Sequence, residues 1–189
     1  MGKPEQQEPL FQYATGALKF ALNFRHGTVK QCTLAQFMPV GAKIGRGLGG
    51  LDGAAQAGMI QVELGRLPEA HQQILVARHA DKMTVCVCAR PCCRGFLENR
   101  QWAVAVDWLT QYVLVQGLTG TISHYRFRRE LVKRHFGVSA KFVEMAAACA
   151  VGKSTASDQY KNVHEHLKAE ERKAHWGIEG LLKAAGVVE

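Results

Sequence analysis

Apolar residues recur every three to four positions along most of this chain, which is the spacing of amphipathic α-helices. The first such segment is Tyr13–Arg25, and the second covers Leu51–Leu64. A third begins at Pro68, because proline is well tolerated in the first turn of a helix, and ends near Ala80. This pattern predicts a mainly α-helical bundle.

The same spacing continues after a short segment rich in cysteine, Met83–Gly95. We expect a helix over Asn99–Leu114, followed by a turn. A basic helix comes next, with Ser123 as its cap and Gly137 at its end. The chain is therefore expected to place a cysteine-bearing insertion between helices.

Residues 142–163, FVEMAAACAVGKSTASDQYKNV, predict a helix-turn-helix. Small residues at 146–148 allow two helices to approach closely, and Val151 is the apolar residue of the turn between them. Ser154 or Thr155 is expected to cap the second helix. The residues that share its predicted inward stripe are Ala156, Tyr160, Val163 and Leu167. Such a motif places its second helix in the major groove of DNA.

Polar side chains on the outward face of that second helix can bond to base edges and phosphates. The residues predicted to face the groove are Ser154, Thr155, Ser157, Asp158, Lys161 and Asn162. The basic residues predicted to position phosphates are Arg126, Arg128, Arg129, Lys133 and Lys153. Gln159 falls where such motifs usually bury an aliphatic residue, and Tyr160 is expected to take that role. The structural alternative is an ordinary helical hairpin inside an all-α core.

Composition narrows the class of partner. The formal net charge is +8 and the isoelectric point is about 9.3, which favours a polyanionic partner. Hydrophobic residues make up 47% of the chain, enough to bury a core. No secretory signal and no apolar run long enough for a membrane span is visible. We therefore expect a cytoplasmic protein without a membrane partner.

Two glycine-containing segments resemble nucleotide-binding loops. Residues 147–154 fit a relaxed phosphate-binding loop, with Ala147 in place of its first glycine. That loop requires a strand before it and further strands after it, whereas its flanks here read as helices. Gly45, Gly47 and Gly50 match a dinucleotide fingerprint by spacing, but no strand-helix-strand pattern surrounds them. We expect no enzymatic activity.

Four cysteines lie within eight residues: Cys86, Cys88, Cys92 and Cys93. Soft thiolates suit zinc, which is the cofactor that this cluster would hold. The usual structural site has two such clusters separated by a dozen or more residues, and here there is one. The sequence leaves open a zinc site and a set of reduced thiols, and a thiol or metal enzyme is the least supported alternative.

Four segments are predicted along the chain. Residues 1–12 form a disordered tail, and residues 13–50 form a helical segment with a glycine-rich linker. Residues 51–121 form a helical domain with the cysteine cluster, and residues 122–189 form the helix-turn-helix domain. One internal similarity stands out, because ILVARHA at 74–80 resembles ELVKRHF at 130–136.

The stretch LVKRHFGVSAKFVEMAAACAVGKSTASDQYKNVHEHL is similar to the region of sigma factors that reads the −35 promoter element. The wider layout resembles phage late-gene antitermination proteins of the Q type, which join a sigma-like helix-turn-helix to a cysteine-bearing segment. This resemblance implies transcription antitermination in a bacterial host cytoplasm. It implies double-stranded DNA, RNA polymerase and its sigma factor as partners. The alternatives are a repressor or activator that does not load onto polymerase, and a helical protein-interaction module.

Overall fold

The computed structural model describes residues 9–24, 50–86, 88, 94–120, 124–138 and 142–189, and over these residues the protein is mainly α-helical, as predicted. The helices are α1 (Ala14–Asn23), α2 (Gly50–Gly65), α3 (Glu69–His79), α4 (Arg100–Val115), α5 (Tyr125–His135), α6 (Phe142–Ala148) and α7 (Lys153–Ala184). Two short strands, β1 (Met83–Val85) and β2 (Phe96–Glu98), lie between α3 and α4. They pair antiparallel, with Thr84 opposite Leu97.

The described residues group into two compact units. The first unit takes the chain up to Arg66 together with Trp176–Glu189, and the second takes Leu67–His175. Helix α7 therefore contributes residues to both. This grouping joins residues 67–121 with residues 122–175, whereas the sequence-based division placed a boundary after residue 121.

The first unit buries apolar residues of α1, α2 and the end of α7. Leu18, Ile60 and Leu182 are fully buried. The side-chain amide of Gln61 donates a hydrogen bond to the Ala21 carbonyl at 3.1 Å and so joins α2 to α1. After α7, Gly186 adopts a positive φ of 70°, which glycine tolerates at the end of a helix.

Phe11 belongs to the folded part of the first unit, although residues 1–12 were predicted to be disordered. Its backbone N–H donates to the Val187 carbonyl at 3.2 Å, and its ring packs 5.4 Å from that of Phe20. The backbone partner of Phe11 lies more than 170 positions along the chain, as the residue numbers show, so the local sequence does not reveal this contact. Residues 1–8, and residues 25–49 with most of the predicted glycine-rich linker, lie outside the described residues. Gly50, the last residue of the predicted linker segment, is already the first residue of α2.

The second unit is built around α4, whose inward residues pack on α3 and α5. Trp102 is 2% exposed, and its indole N–H donates to the Ala77 carbonyl at 3.0 Å. The fully buried residues of this unit include Leu109 of α4, Ile74 and Leu75 of α3, Phe127 and Leu131 of α5, and Val163 and Leu167 of α7. Burying a large side chain of this kind stabilises a fold by about 1.5–3 kcal/mol.

Local sequence signals set the ends of α4 and α5. The Asn99 side chain accepts from the Gln101 N–H at 3.0 Å, so it caps α4 at the predicted start. Gly137 has a φ of 79° and ends α5, as predicted. His124 occupies the N-cap of α5 without a side-chain cap bond, and the predicted cap, Ser123, lies outside the described residues. No helix in the described part of the chain is long and apolar enough to cross a membrane.

Candidate nucleic-acid interface

Helices α6 and α7 are joined by the tight turn Cys149–Gly152. The Val151 N–H donates back to the Ala146 carbonyl at 2.8 Å, and Ala150 adopts a left-handed φ of 55°. The Gly152 carbonyl accepts from the Ala156 N–H at 2.9 Å, so α7 begins at Lys153. The predicted cap at Ser154 or Thr155 is therefore wrong, because both residues already lie in the first turn of the helix.

The side chains predicted to contact DNA on α7 are all exposed: Lys153, Ser154, Thr155, Ser157, Asp158, Lys161 and Asn162. Within this set, Ser154, Ser157, Asp158 and Lys161 are spaced three and four apart and form one continuous stripe. Ala156 and Val163 are fully buried on the opposite side of the helix. The first turns of α7 thus expose a polar stripe, called the ridge below, which comprises the seven exposed residues named above. The opposite side of these turns is packed through Ala156 and Val163.

Gln159, rather than Tyr160, fills the inward position between Ala156 and Val163. It is 7% exposed, and its side-chain amide donates to the Thr119 carbonyl at 2.7 Å. Tyr160 is half-buried, and the guanidinium carbon of Arg134 lies 5.1 Å from the centre of its ring. The prediction that Tyr160 replaces Gln159 in the core is wrong because the carbonyl of Thr119 supplies a buried hydrogen-bond acceptor.

The basic residues predicted on α5 differ in their surroundings. Arg126 is exposed, whereas Arg128 is only 3% exposed. The Arg129 guanidinium donates to Asp107 Oδ1 and, at 3.2 Å, to Glu98 Oε2. The ammonium of Lys133 lies 3.4 Å from Glu98 and 3.5 Å from Glu130.

Arg128, Arg129 and Lys133 are therefore not open surface cations, contrary to the expected geometry. Helix α5 packs part of its basic face against α4 and strand β2, which supply the carboxylates of Asp107 and Glu98. Burial by itself lowers the pKa of Arg129, but Asp107 and Glu98 outweigh it and the net pKa is raised. Of the predicted phosphate-positioning residues, Arg126 and Lys153 are exposed.

The predicted cysteine cluster is described only in part. The Cys86 N–H donates to the Gly95 carbonyl at 2.8 Å, next to the β1–β2 pair, and Cys88 is exposed. Cys92 and Cys93 lie outside the described residues. Among the residues that are described, no group of three or more histidines, cysteines or carboxylates has a geometry suited to a metal ion.

A partly buried polar cluster that the sequence did not predict joins α3, α5 and α7. The guanidinium of Arg78 binds both carboxylate oxygens of Glu171, one of them at 2.7 Å. His135 Nε2 lies 3.3 Å from Glu171 Oε2, and His135 Nδ1 lies 3.1 Å from His164 Nδ1. On the other side of Glu171, His175 Nε2 lies 3.8 Å from Oε1.

Further histidines flank this cluster. His79 Nε2 lies 3.4 Å from His175 Nε2, and His71 Nε2 lies 3.0 Å from Glu170 Oε2. Burial by itself raises the pKa of Glu171, but hydrogen bonds from His135, His175 and Arg78 outweigh it. The net pKa lies well below the usual range, so Glu171 is a carboxylate at neutral pH.

Two sequence signals point to this cluster. The repeated pattern ILVARHA and ELVKRHF carries Arg78 and His135, which both meet Glu171. On α7, His164, Glu171 and His175 are spaced seven and four apart, which places them on one side of a helix. The spacing alone does not identify α3 and α5 as the helices that face this side.

Comparison with known proteins adds no relative: no protein-family model, curated protein or solved structure matches this chain. The resemblance to sigma factors and to Q-type antitermination proteins therefore remains an expectation from the residues themselves. The candidate interface is defined by the exposed first turns of α7, by Arg126 on α5 and by the contacts that hold these helices together.

Proposed function

We propose that this chain is a sequence-specific double-stranded DNA-binding regulator of transcription, with α6 and α7 as a helix-turn-helix. One observation carries the proposal: all seven predicted contact residues on α7 are exposed, while Ala156 and Val163 behind them are buried. Serine, asparagine and lysine side chains in this position can bond to base edges in the major groove.

The positive charge of the chain also supports DNA as its partner. The net charge of +8 favours a polyanion, and exposed Lys153, Lys161 and Arg126 supply cations on α7 and α5. Asp158 adds a carboxylate within the ridge, which can accept from the amino group of cytosine and disfavours indiscriminate phosphate binding. Phosphate contacts would set the affinity, and the ridge would select the sequence.

The resemblance to Q-type antitermination proteins extends the proposal to a second partner. In that reading the chain binds near a late promoter and engages RNA polymerase with its sigma factor. Capture of purified polymerase by the full chain, with and without sigma factor, tests this part separately. A regulator that binds DNA but not polymerase would be a repressor or activator of another kind.

Selection from random duplex DNA at about physiological salt tests the core of the proposal. We expect a sharp enriched sequence. Lys161→Ala and Ser157→Ala should relax the preference at individual positions, each by roughly 5- to 100-fold in affinity for the wild-type site. Lys183→Ala is the matched control, because Lys183 is exposed in the last turn of the same helix.

The outcomes separate the alternatives. Equal selection by the wild type and by a Ser157→Ala, Lys161→Ala double variant would contradict the assignment of the ridge. Binding that depends on salt but enriches no sequence would contradict sequence-specific recognition. In that case α6 and α7 would be better explained as a protein-docking hairpin.

A further inference from the structure

The partly buried cluster formed by Arg78, His135, His164 and Glu171 is not used by the proposed DNA contacts. We propose that the His135–His164 pair is a proton-sensitive contact. It holds α7 against α5 at neutral pH and is broken when acidification charges both imidazoles, which weakens DNA binding through α7. The effect on DNA rests on the proposed function, whereas the effect on the helix contact does not.

The geometry of the pair limits the number of protons that it can hold. His135 Nδ1 and His164 Nδ1 face each other at 3.1 Å, so an N–H on one nitrogen must meet a lone pair on the other. His135 Nε2 lies 3.3 Å from the Glu171 carboxylate, which accepts, and 3.4 Å from an Arg78 guanidinium nitrogen, which donates, so its neutral ring can carry the N–H on either nitrogen. A charged imidazole carries N–H on both nitrogens, so two charged rings would present N–H against N–H.

Other charges around the pair oppose a second proton. Arg78 of α3 lies with its guanidinium nitrogen 3.4 Å from His135 Nε2. On α7, Lys168 also acts against a charge on His164, and Glu165 favours it. The Glu171 carboxylate lies 3.3 Å from His135 Nε2, and both its oxygens already accept from Arg78. Acidification therefore adds positive charge to the histidine pair, while the carboxylate of Glu171 is already bound by Arg78.

The direction of the stability effect follows from His164. Burial first, and then the charges of His135, Lys168 and Arg78, hold the pKa of His164 below its ordinary value of 6.5, against the effect of Glu165. Below about pH 6.5 the unfolded chain therefore binds more protons at this residue than the folded chain does. The stabilising contribution is complete above that pH and is lost as the pH falls below it.

The pair lies close enough to the ridge to affect DNA binding. His164 follows Asn162 by two positions and Lys161 by three, so all three occupy the same turn of α7. His135 is in the last turn of α5, and its side chain is 1% exposed. Loss of their contact frees this turn to move relative to Arg126 on α5. Arg126 could then no longer contact a phosphate while the ridge on α7 contacts the bases.

The test measures folding and DNA binding at about pH 7.5 and about pH 5.5 on the full chain. We expect the wild type to lose stability to urea on acidification. Its affinity for a duplex carrying the enriched sequence should fall by at least about threefold. His164→Asn keeps a short hydrogen-bonding side chain that does not titrate, so both losses should shrink. Acidification alone strengthens attraction to phosphates, so a fall in affinity runs against the general electrostatic trend.

His166→Asn is the matched control, because His166 lies two positions further along α7 and contacts the Tyr112 hydroxyl at 3.1 Å instead of His135. It should keep the wild-type loss of stability. Equal pH dependence in the wild type and in folded His164→Asn would overturn the proposal. So would a wild type whose stability does not change between the two pH values.

Histidine-selective NMR of the wild type provides a readout that needs no stable variant. A His164 signal that titrates below the ordinary pH range of histidine supports the proposal, and one that titrates at or above about pH 6.5 overturns it. Absence of DNA binding at both pH values would contradict the proposed function. The urea and NMR measurements would still decide whether the histidine pair responds to protons.

Discussion

Arg126 and Arg129 lie one turn apart on α5 and have different surroundings. Arg126 is exposed, whereas the Arg129 side chain is 19% exposed and contacts the carboxylates of Asp107 and Glu98. An arginine with carboxylate partners already has its charge compensated and must break these contacts to bind a phosphate. Phosphate contact is therefore expected of Arg126, and a structural role is expected of Arg129.

Paired substitutions test this distinction. Arg129→Ala should lower the free energy of unfolding by about 1 kcal/mol, because its two carboxylate partners are themselves partly exposed and screened. Arg126→Ala should leave stability nearly unchanged. It should weaken binding to all duplex sequences alike and reduce the slope of log affinity against log salt by about one. Urea unfolding and salt-dependent binding titrations measure both effects, and a reversal of the two roles would contradict the assignment.

At the scale of elements, the turn between α6 and α7 depends on the conformation of one alanine. Ala150 has a φ of 55°, in the left-handed region that costs a residue with a Cβ roughly 1–2 kcal/mol. The Val151–Ala146 hydrogen bond holds the turn closed despite this cost. This turn also fixes the start of α7 at Lys153, and it thereby sets the orientation of the predicted ridge.

Ala150→Gly should therefore stabilise the protein by about 0.5 kcal/mol, since the relief of strain exceeds the added entropy of the unfolded chain. Ala148→Gly is the matched control. Ala148 is an exposed residue of α6, where the same substitution should destabilise by about 0.5–1 kcal/mol. Denaturant midpoints of the two variants should move in opposite directions. Destabilisation by both would indicate that Ala150 is not strained in solution.

At the scale of the whole molecule, stability against acid depends on a carboxylate that links three helices. Glu171 of α7 is bound by Arg78 of α3 and lies beside His135 of α5. Its pKa in the folded protein lies well below the ordinary value of 4.5. Its contribution is therefore fully present above about pH 4.5 and is lost as the pH falls towards the lower folded pKa.

Glu171→Gln should lower the free energy of unfolding by about 2–4 kcal/mol at neutral pH, because Arg78 then keeps a half-buried charge without its carboxylate. The difference from the wild type should narrow below about pH 4.5. Glu170→Gln is the neighbouring control, and its smaller loss follows from its partners, His71 and the exposed Lys173. Urea unfolding over a pH series measures the gap. If the difference in unfolding free energy between the wild type and Glu171→Gln did not change with pH, the low pKa of Glu171 would be contradicted.

The sequence by itself determined the helical class, the helices at Tyr13–Arg25, Leu51–Leu64 and Asn99–Leu114 to within a few residues, and the end of α5 at Gly137. Helical periodicity, an asparagine cap and a glycine with positive φ are local signals, so neighbouring residues suffice to read them. The exposed ridge on α7 was predictable for the same reason. Polar residues spaced three and four apart opposite an apolar stripe define an outward face without knowledge of the rest of the fold.

Only the tertiary structure decided which polar residues have partners. Arg129 forms an ion pair with Asp107, and Gln159 donates to the Thr119 carbonyl. Glu171 is bound by Arg78 and lies beside His135. These partners are separated in sequence by 22 to 93 positions. Hydrogen bonds and ion pairs act over a few ångströms in space, so the packing of the helices determines whether a charge is open to a ligand or bound within the fold.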